Sequence, residues 1–79
     1  MYLCISGFLR DSTEDDSLKF ELDLNVSFND QIVKLLGHKS LNEMASGEWL
    51  LTTEEAQQIA LLVNQSIPVD LKLFIGVET

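Results

Sequence analysis

Cysteine and histidine occur once each in this chain of 79 residues, as Cys4 and His38, and that scarcity removes several kinds of chemistry at once. A single cysteine forbids an internal disulfide and a four-thiolate zinc site. Cys4 is therefore expected to serve as a small apolar strand residue. His38 stands in Gly37-His38-Lys39-Ser40, where no triad or metal-ligand spacing surrounds it, and is expected to be a solvated loop residue following a helix. The four glycines, Gly7, Gly37, Gly47 and Gly76, are scattered singly, which excludes a glycine-rich phosphate loop. The longest apolar runs are short pieces such as residues 59–63, far below the roughly 20 residues that cross a bilayer. The opening Met1-Tyr2-Leu3-Cys4-Ile5 carries no basic leader or small-residue cleavage site, so a cytoplasmic, membrane-free location is expected.

Positive charge is scarce as well. Five basic side chains stand against 13 acidic ones, a net charge of −8. Nucleic-acid binding depends on lysine and arginine replacing counterions along the phosphate backbone, so direct contact with DNA or RNA is not expected. An acidic surface instead attracts basic proteins and accelerates their association. The cluster Asp11-Ser12-Thr13-Glu14-Asp15-Asp16 lacks the alternating ligands, central glycine and terminal glutamate of a calcium loop. Without a pocket or a raised carboxyl pKa, paired acids do not indicate acid–base catalysis. No catalytic residue, cofactor or metal is expected, and the chain is read as no enzyme.

Apolar residues make up 46% of the chain, enough for a packed core, and the length suits one domain spanning residues 1–79. Residues 18–26 alternate strictly, with Leu18, Phe20, Leu22, Leu24 and Val26 on one face and Lys19, Glu21, Asp23 and Asn25 on the other, the signature of a half-buried strand. Residues 69–77 repeat the pattern, with Val69, Leu71, Leu73, Ile75 and Val77 inward and Asp70, Lys72 and Phe74 outward. The opening segment, residues 2–9, has strand composition. With Leu3, Ile5 and Leu9 inward, Tyr2, Cys4, Ser6 and Phe8 share the outer face, although this segment alternates less cleanly and the opposite register stays open.

Between these strands the period becomes helical. Phe28, Ile32, Leu35 and Leu36 form a stripe after Ser27 as an N-cap and before Gly37 as a stop. Thr52-Thr53-Glu54-Glu55 is a capping box, and Ala56, Ile59, Ala60 and Val63 follow on one face. Residues 38–51 are the least legible: Ser40-Leu41-Asn42-Glu43-Met44-Ala45 suits a further helical turn, Ser46-Gly47 a turn, and Met44 and Trp49 are expected to pack. The predicted fold is α+β, a three-stranded antiparallel sheet in the order β-β-α-α-β with helices packed on one face.

The uncovered face would then join Glu21, Asp23 and Asp70 to Tyr2, Phe8 and Phe74, with the acidic loop residues Glu14, Asp15 and Asp16 nearby. Carboxylates that steer and aromatics that anchor make this the candidate partner-binding surface. Leu61, within an Ile59-Ala60-Leu61-Leu62-Val63 run that is apolar nearly all round, is expected to be exposed, and either it or an exposed strand edge to support a weak homodimer.

In size, charge and the stretch from Trp49-Leu50-Leu51-Thr52-Thr53-Glu54-Glu55-Ala56 to Phe74-Ile75-Gly76-Val77-Glu78, the chain resembles the small acidic immunity proteins of bacterial toxin systems, of the bacteriocin and contact-dependent inhibition types. The resemblance covers roughly the last third. Such proteins share no common fold, so it implies a mode of action and transfers no individual residue: binding and blocking a cognate toxin domain, often a basic nuclease, in the cytoplasm. A small accessory or structural subunit of a bacterial or phage complex is the alternative.

Overall fold

The computed structural model describes residues 1–10 and 15–79. Its elements are β1 (Tyr2–Phe8), β2 (Phe20–Asp23), a 3-10 turn (Val26–Phe28), α1 (Asn29–Leu35), α2 (Leu41–Met44), β3 (Trp49–Leu50), α3 (Thr53–Val63) and β4 (Lys72–Glu78). The strands form one antiparallel sheet in the order β2-β1-β4-β3, so the α+β class holds with four strands rather than three. The two-residue β3, which pairs Trp49 with Ile75 and Leu50 with Phe74, supplies the fourth.

Side-chain alternation decides what each strand buries. On the inner face, Leu3 and Ile5 of β1 and Ile75 of β4 are fully buried with Leu73 beside them, and Ile32, Met44, Ala56 and Ile59 meet them from the helices. Gly7 occupies the same face at a crowded point. A methyl group there would lie 3.0 Å from Phe20 Cβ and from Leu71 Cδ1 and 3.1 Å from Leu73 Cδ2, so the three neighbours fill the space a side chain would take.

Helix ends follow local chemistry. Thr52 Oγ1 accepts from Glu55 N–H at 3.1 Å while Glu55 Oε1 accepts from Thr52 N–H at 2.9 Å, the reciprocal capping box read from the sequence. Asn64 closes α3 in the left-handed region, a conformation asparagine tolerates better than most residues. Gly37, at φ 78°, ends the first helical stretch as expected. Ser40 caps α2 by accepting from Glu43 N–H at 3.1 Å.

Four expectations need correction. The strand predicted over 18–26 shrinks to four residues, and Leu18 and Val26 are 47% and 59% exposed. At one end Lys19 N–H reaches Gly7 O at 2.8 Å although Phe20 is the residue paired with Gly7, so two residues oppose one and the register slips as in a β-bulge. At the other end Asn25 Oδ1 accepts from Ser27 N–H at 2.9 Å and turns the chain into the 3-10 segment, so Asn25 and not Ser27 is the cap. Leu9 is exposed because β1 ends at Phe8. Asp70 precedes β4, in the turn whose Val69 O accepts from Arg10 at 3.2 Å, and takes no place on the sheet.

The burial pattern sets a stability test. Ile5→Ala or Ile59→Ala is expected to lower unfolding free energy by about 2–5 kcal/mol, whereas Leu18→Ala or Val26→Ala should change it by no more than about 0.5 kcal/mol. Urea titrations of the four variants check both halves, and a large loss at Leu18 would place that residue in the core.

Candidate partner-binding face

Cross-strand register builds the outer face row by row. Glu21, Ser6, Phe74 and Leu50 stand side by side across all four strands, and Asp23, Cys4 and Gly76 form the next row. Tyr2 faces Glu78 beyond them, and Phe8 faces Lys72 at the opposite end. The helical elements pack on the other face, so among the described residues no helix or strand covers this surface.

Its aromatic pair lies toward one end and most of its carboxylates toward the other. Phe8 and Phe74 meet edge-to-face with centroids 6.0 Å apart, and the Lys72 ammonium lies 5.5 Å from the Phe74 centroid, a cation–π arrangement. Leu50, directly opposite Phe74, is 60% exposed and extends the apolar patch. Glu48 reaches over Gly76 so closely that a methyl group on that glycine would lie 3.2 Å from Glu48 Cγ. Glu21 thus shares the row of Phe74, and Asp23, Glu48 and Glu78 lie on the side of that row away from Phe8, while Lys72 is the basic side chain at the Phe8 end.

Two titratable groups register the resulting negative field. The Asp23 carboxylate, then burial, then Glu78 raise the Tyr2 phenol above its ordinary pKa. Cys4 has its thiol pushed up to about 11, chiefly by burial and then by a hydrogen bond and charge from Asp23. This thiol is therefore neutral and inert near neutrality.

Tyr2, Phe8, Glu21, Asp23 and Phe74 all share this face, β1 taking the first of the two registers its sequence left open. Asp70 does not join them, for the reason given above, and Glu14 lies outside the described residues. Asp15 and Asp16 precede β2. There Asp15 Oδ1 accepts from Ser17 N–H at 3.1 Å and Ser17 Oγ at 2.6 Å, while Oδ2 pairs with Lys19 Nζ at 2.8 Å. The lysine foremost, and then the serine, hold the Asp15 carboxyl well below the usual range. Sequence reasoning missed Leu50 and Glu48, since a two-residue strand has no periodicity to read.

His38 also differs from expectation. It is half-buried, its ring centroid 4.6 Å from that of Trp49, and its Nδ1 lies 3.0 Å from Glu43 Oε1. Trp49 Nε1 donates to Met44 O at 3.0 Å, and Met44 is fully buried, so this cluster fastens the link between α1 and β3. Hydrogen bonds from His38 and then from the Lys39 amide hold the Glu43 carboxyl below its ordinary range. Elsewhere, a shallow concavity beside α3 is lined by residues such as Ala60, Leu61, Asn64 and Ile67 and bears no titratable side chain. Among the described residues no group of three or more histidine, cysteine, aspartate or glutamate side chains converges as a metal site, and no helix is long and apolar enough to cross a membrane.

Compared with known proteins, the chain matches no family model, no curated protein and no solved structure.

The raised thiol gives a pH test with a definite sign. A group whose folded pKa exceeds its unfolded one adds stability below the unfolded value and loses it as pH rises toward the folded value. Melting temperature should therefore fall between about pH 8.5 and pH 11, and Cys4→Ala should lessen that fall. Native Cys4 should also react with iodoacetamide at pH 8 far more slowly than the urea-unfolded chain; equal rates would mean an accessible thiolate.

Proposed function

We propose that this protein is a non-catalytic binding module that captures a basic protein through the open face of its sheet, most specifically as an immunity protein that neutralises a nuclease-type bacterial toxin in the cytoplasm. The observation that carries this reading is the apolar patch of Phe8, Phe74 and Leu50 bordered on one side by Glu21, Asp23, Glu48 and Glu78. Apolar area of this kind anchors a partner, while bordering carboxylates steer a positively charged one and reject acidic competitors. The net charge of −8 acts in the same direction at longer range. An inhibitor needs no chemistry of its own; covering a toxin's basic working surface is sufficient.

The division of labour between charge and aromatic is measurable. With a basic toxin domain as partner, Glu21→Lys combined with Asp23→Lys should slow association and reduce its salt dependence. Phe74→Ala should instead speed dissociation, at a cost above about 2 kcal/mol if Phe74 is a hot spot. Affinity capture from the native cell supplies the partner, and a growth-protection assay with the captured toxin tests neutralisation. His38→Ala and Cys4→Ala should retain protection, since neither side chain has a chemical role in this reading. Capture of a constant set of structural subunits and no toxin would replace it with the accessory-subunit alternative.

A further inference from the structure

The strand order leaves β2 at one end of the sheet, with β1 on one side and, among the described residues, no strand on the other. The phase of its hydrogen bonding follows from the register. Ile5 pairs with Leu22 and Gly7 with Phe20, and the Leu24 N–H donates to Leu3 O at 2.8 Å, continuing the same series. In an antiparallel ladder the hydrogen-bonded pairs alternate, so Phe20, Leu22 and Leu24 turn their backbone groups toward β1. The N–H and C=O groups of Glu21 and Asp23 then point away from the sheet, and among the described residues no hydrogen bond to them is made from another element.

This edge has chemical polarity across its two faces. On the outer face stand the exposed carboxylates of Glu21 and Asp23. On the inner face Phe20 and Leu22 are only half-buried although they pack against the core, as befits residues of the strand at the sheet's edge. Exposed Leu18 and Val26 flank the same edge at its two ends. The neighbouring cation, Lys19, is paired with Asp15 and does not cancel the edge carboxylates. Within Phe20–Asp23 no proline or lysine blocks strand addition.

A second copy of the chain is a poor occupant. Pairing β2 with β2 would bring Glu21 and Asp23 against the same carboxylates of the other copy, and like charges directly opposite are destabilising. Opposite charges in those positions are favourable, and apolar residues alternating with them would fall over Phe20 and Leu22.

We propose that the free edge of β2 binds an extended segment by antiparallel β-strand addition, the segment carrying lysine or arginine opposite Glu21 and Asp23 and apolar residues between them. This deepens the reading of the protein as a receptor for basic proteins, on which it rests, by assigning a main-chain contact at the edge in addition to the side-chain contact on the face. The hydrogen-bonding phase adds a specific requirement: residues opposite Glu21 and Asp23 exchange N–H···O=C bonds with them, so the basic residues of the segment donate their backbone N–H to β2 while the apolar residues direct theirs away.

A short blocked peptide of alternating lysine and valine tests this with the whole chain at low salt. Amide hydrogen exchange at Glu21 and Asp23 should slow by at least about tenfold on saturation. N-methylation of the lysine backbone nitrogens should abolish that protection, and N-methylation of the valines should preserve it. Glu21→Lys combined with Asp23→Lys should also abolish it, whereas Phe74→Ala should leave it unchanged, which separates the edge from the aromatic face. Equal binding of the two methylated peptides, or binding without protection of these amides, would overturn strand addition. Protection that grows with protein concentration in the absence of peptide would assign the edge to a second copy instead. Should the peptide bind as expected while Phe74→Ala leaves capture of the basic partner unaffected, the open-face reading fails and the edge stands.

Discussion

Seven residue pairs join β1 to β4, strands drawn from the two ends of the chain, and the buried side chains of that ribbon form the floor on which every helix packs. Leu3 and Ile5 are fully buried only because Ile75 and Leu73 lie beside them and Ile32, Met44 and Ile59 lie above. Little of this can form locally. Contacts between distant segments reward the chain only after loop entropy has been lost, so folding is expected to be governed by the meeting of the two ends rather than by α3, whose caps favour it from the start. Gly7 sharpens the dependence, since the ribbon and β2 close around a position that has no side chain.

The same ribbon explains why the outer face has the composition it does. Once Leu3, Ile5, Leu73 and Ile75 turn inward, the period of two sends Tyr2, Cys4, Ser6, Phe8, Lys72, Phe74 and Glu78 outward. Phe8 and Phe74 support each other across the strands, and the carboxylates of β2 and of Glu48 border them on one side. The effect on Tyr2 and Cys4 is the electrostatic trace of that arrangement: both hold their protons more tightly because an anion there would sit in an acidic neighbourhood or out of water.

What the sequence revealed was whatever has a period or a fixed offset. The reciprocal Thr52–Glu55 cap was legible because four adjacent residues define it. The inward and outward sets of β4 were legible because alternation persists along it, whereas β1 alternates less cleanly and its register, left open by the sequence, is fixed by its pairing with β4. Alternation failed in β2, where Leu18 and Val26 keep the pattern but not the structure: an Asn25 cap and a slipped register at Lys19 end the pairing, and neither leaves a mark in hydrophobicity. Asp70 was drawn into the candidate face for a similar reason, since Val69 and Leu71 continue the period of β4 beyond its first paired residue. In the Trp49 cluster the packing of Met44 with Trp49 was legible, but the parts played by His38 and Glu43 were not, because they converge on the indole only after α2 folds the intervening chain back.

Tyr2 and Glu78 are cross-strand partners, which brings the two ends of the described fold to within one strand spacing, about 5 Å. A hairpin-length linker between them would turn the most distant pairing in the molecule into the most local one. The chain could then be opened in the segment between β1 and β2, leaving the sheet order intact while reversing which contacts form early. Such a circular permutant would keep the β1–β4 ribbon and its outer face, yet reach them along a route in which the ribbon is the first structure made instead of the last.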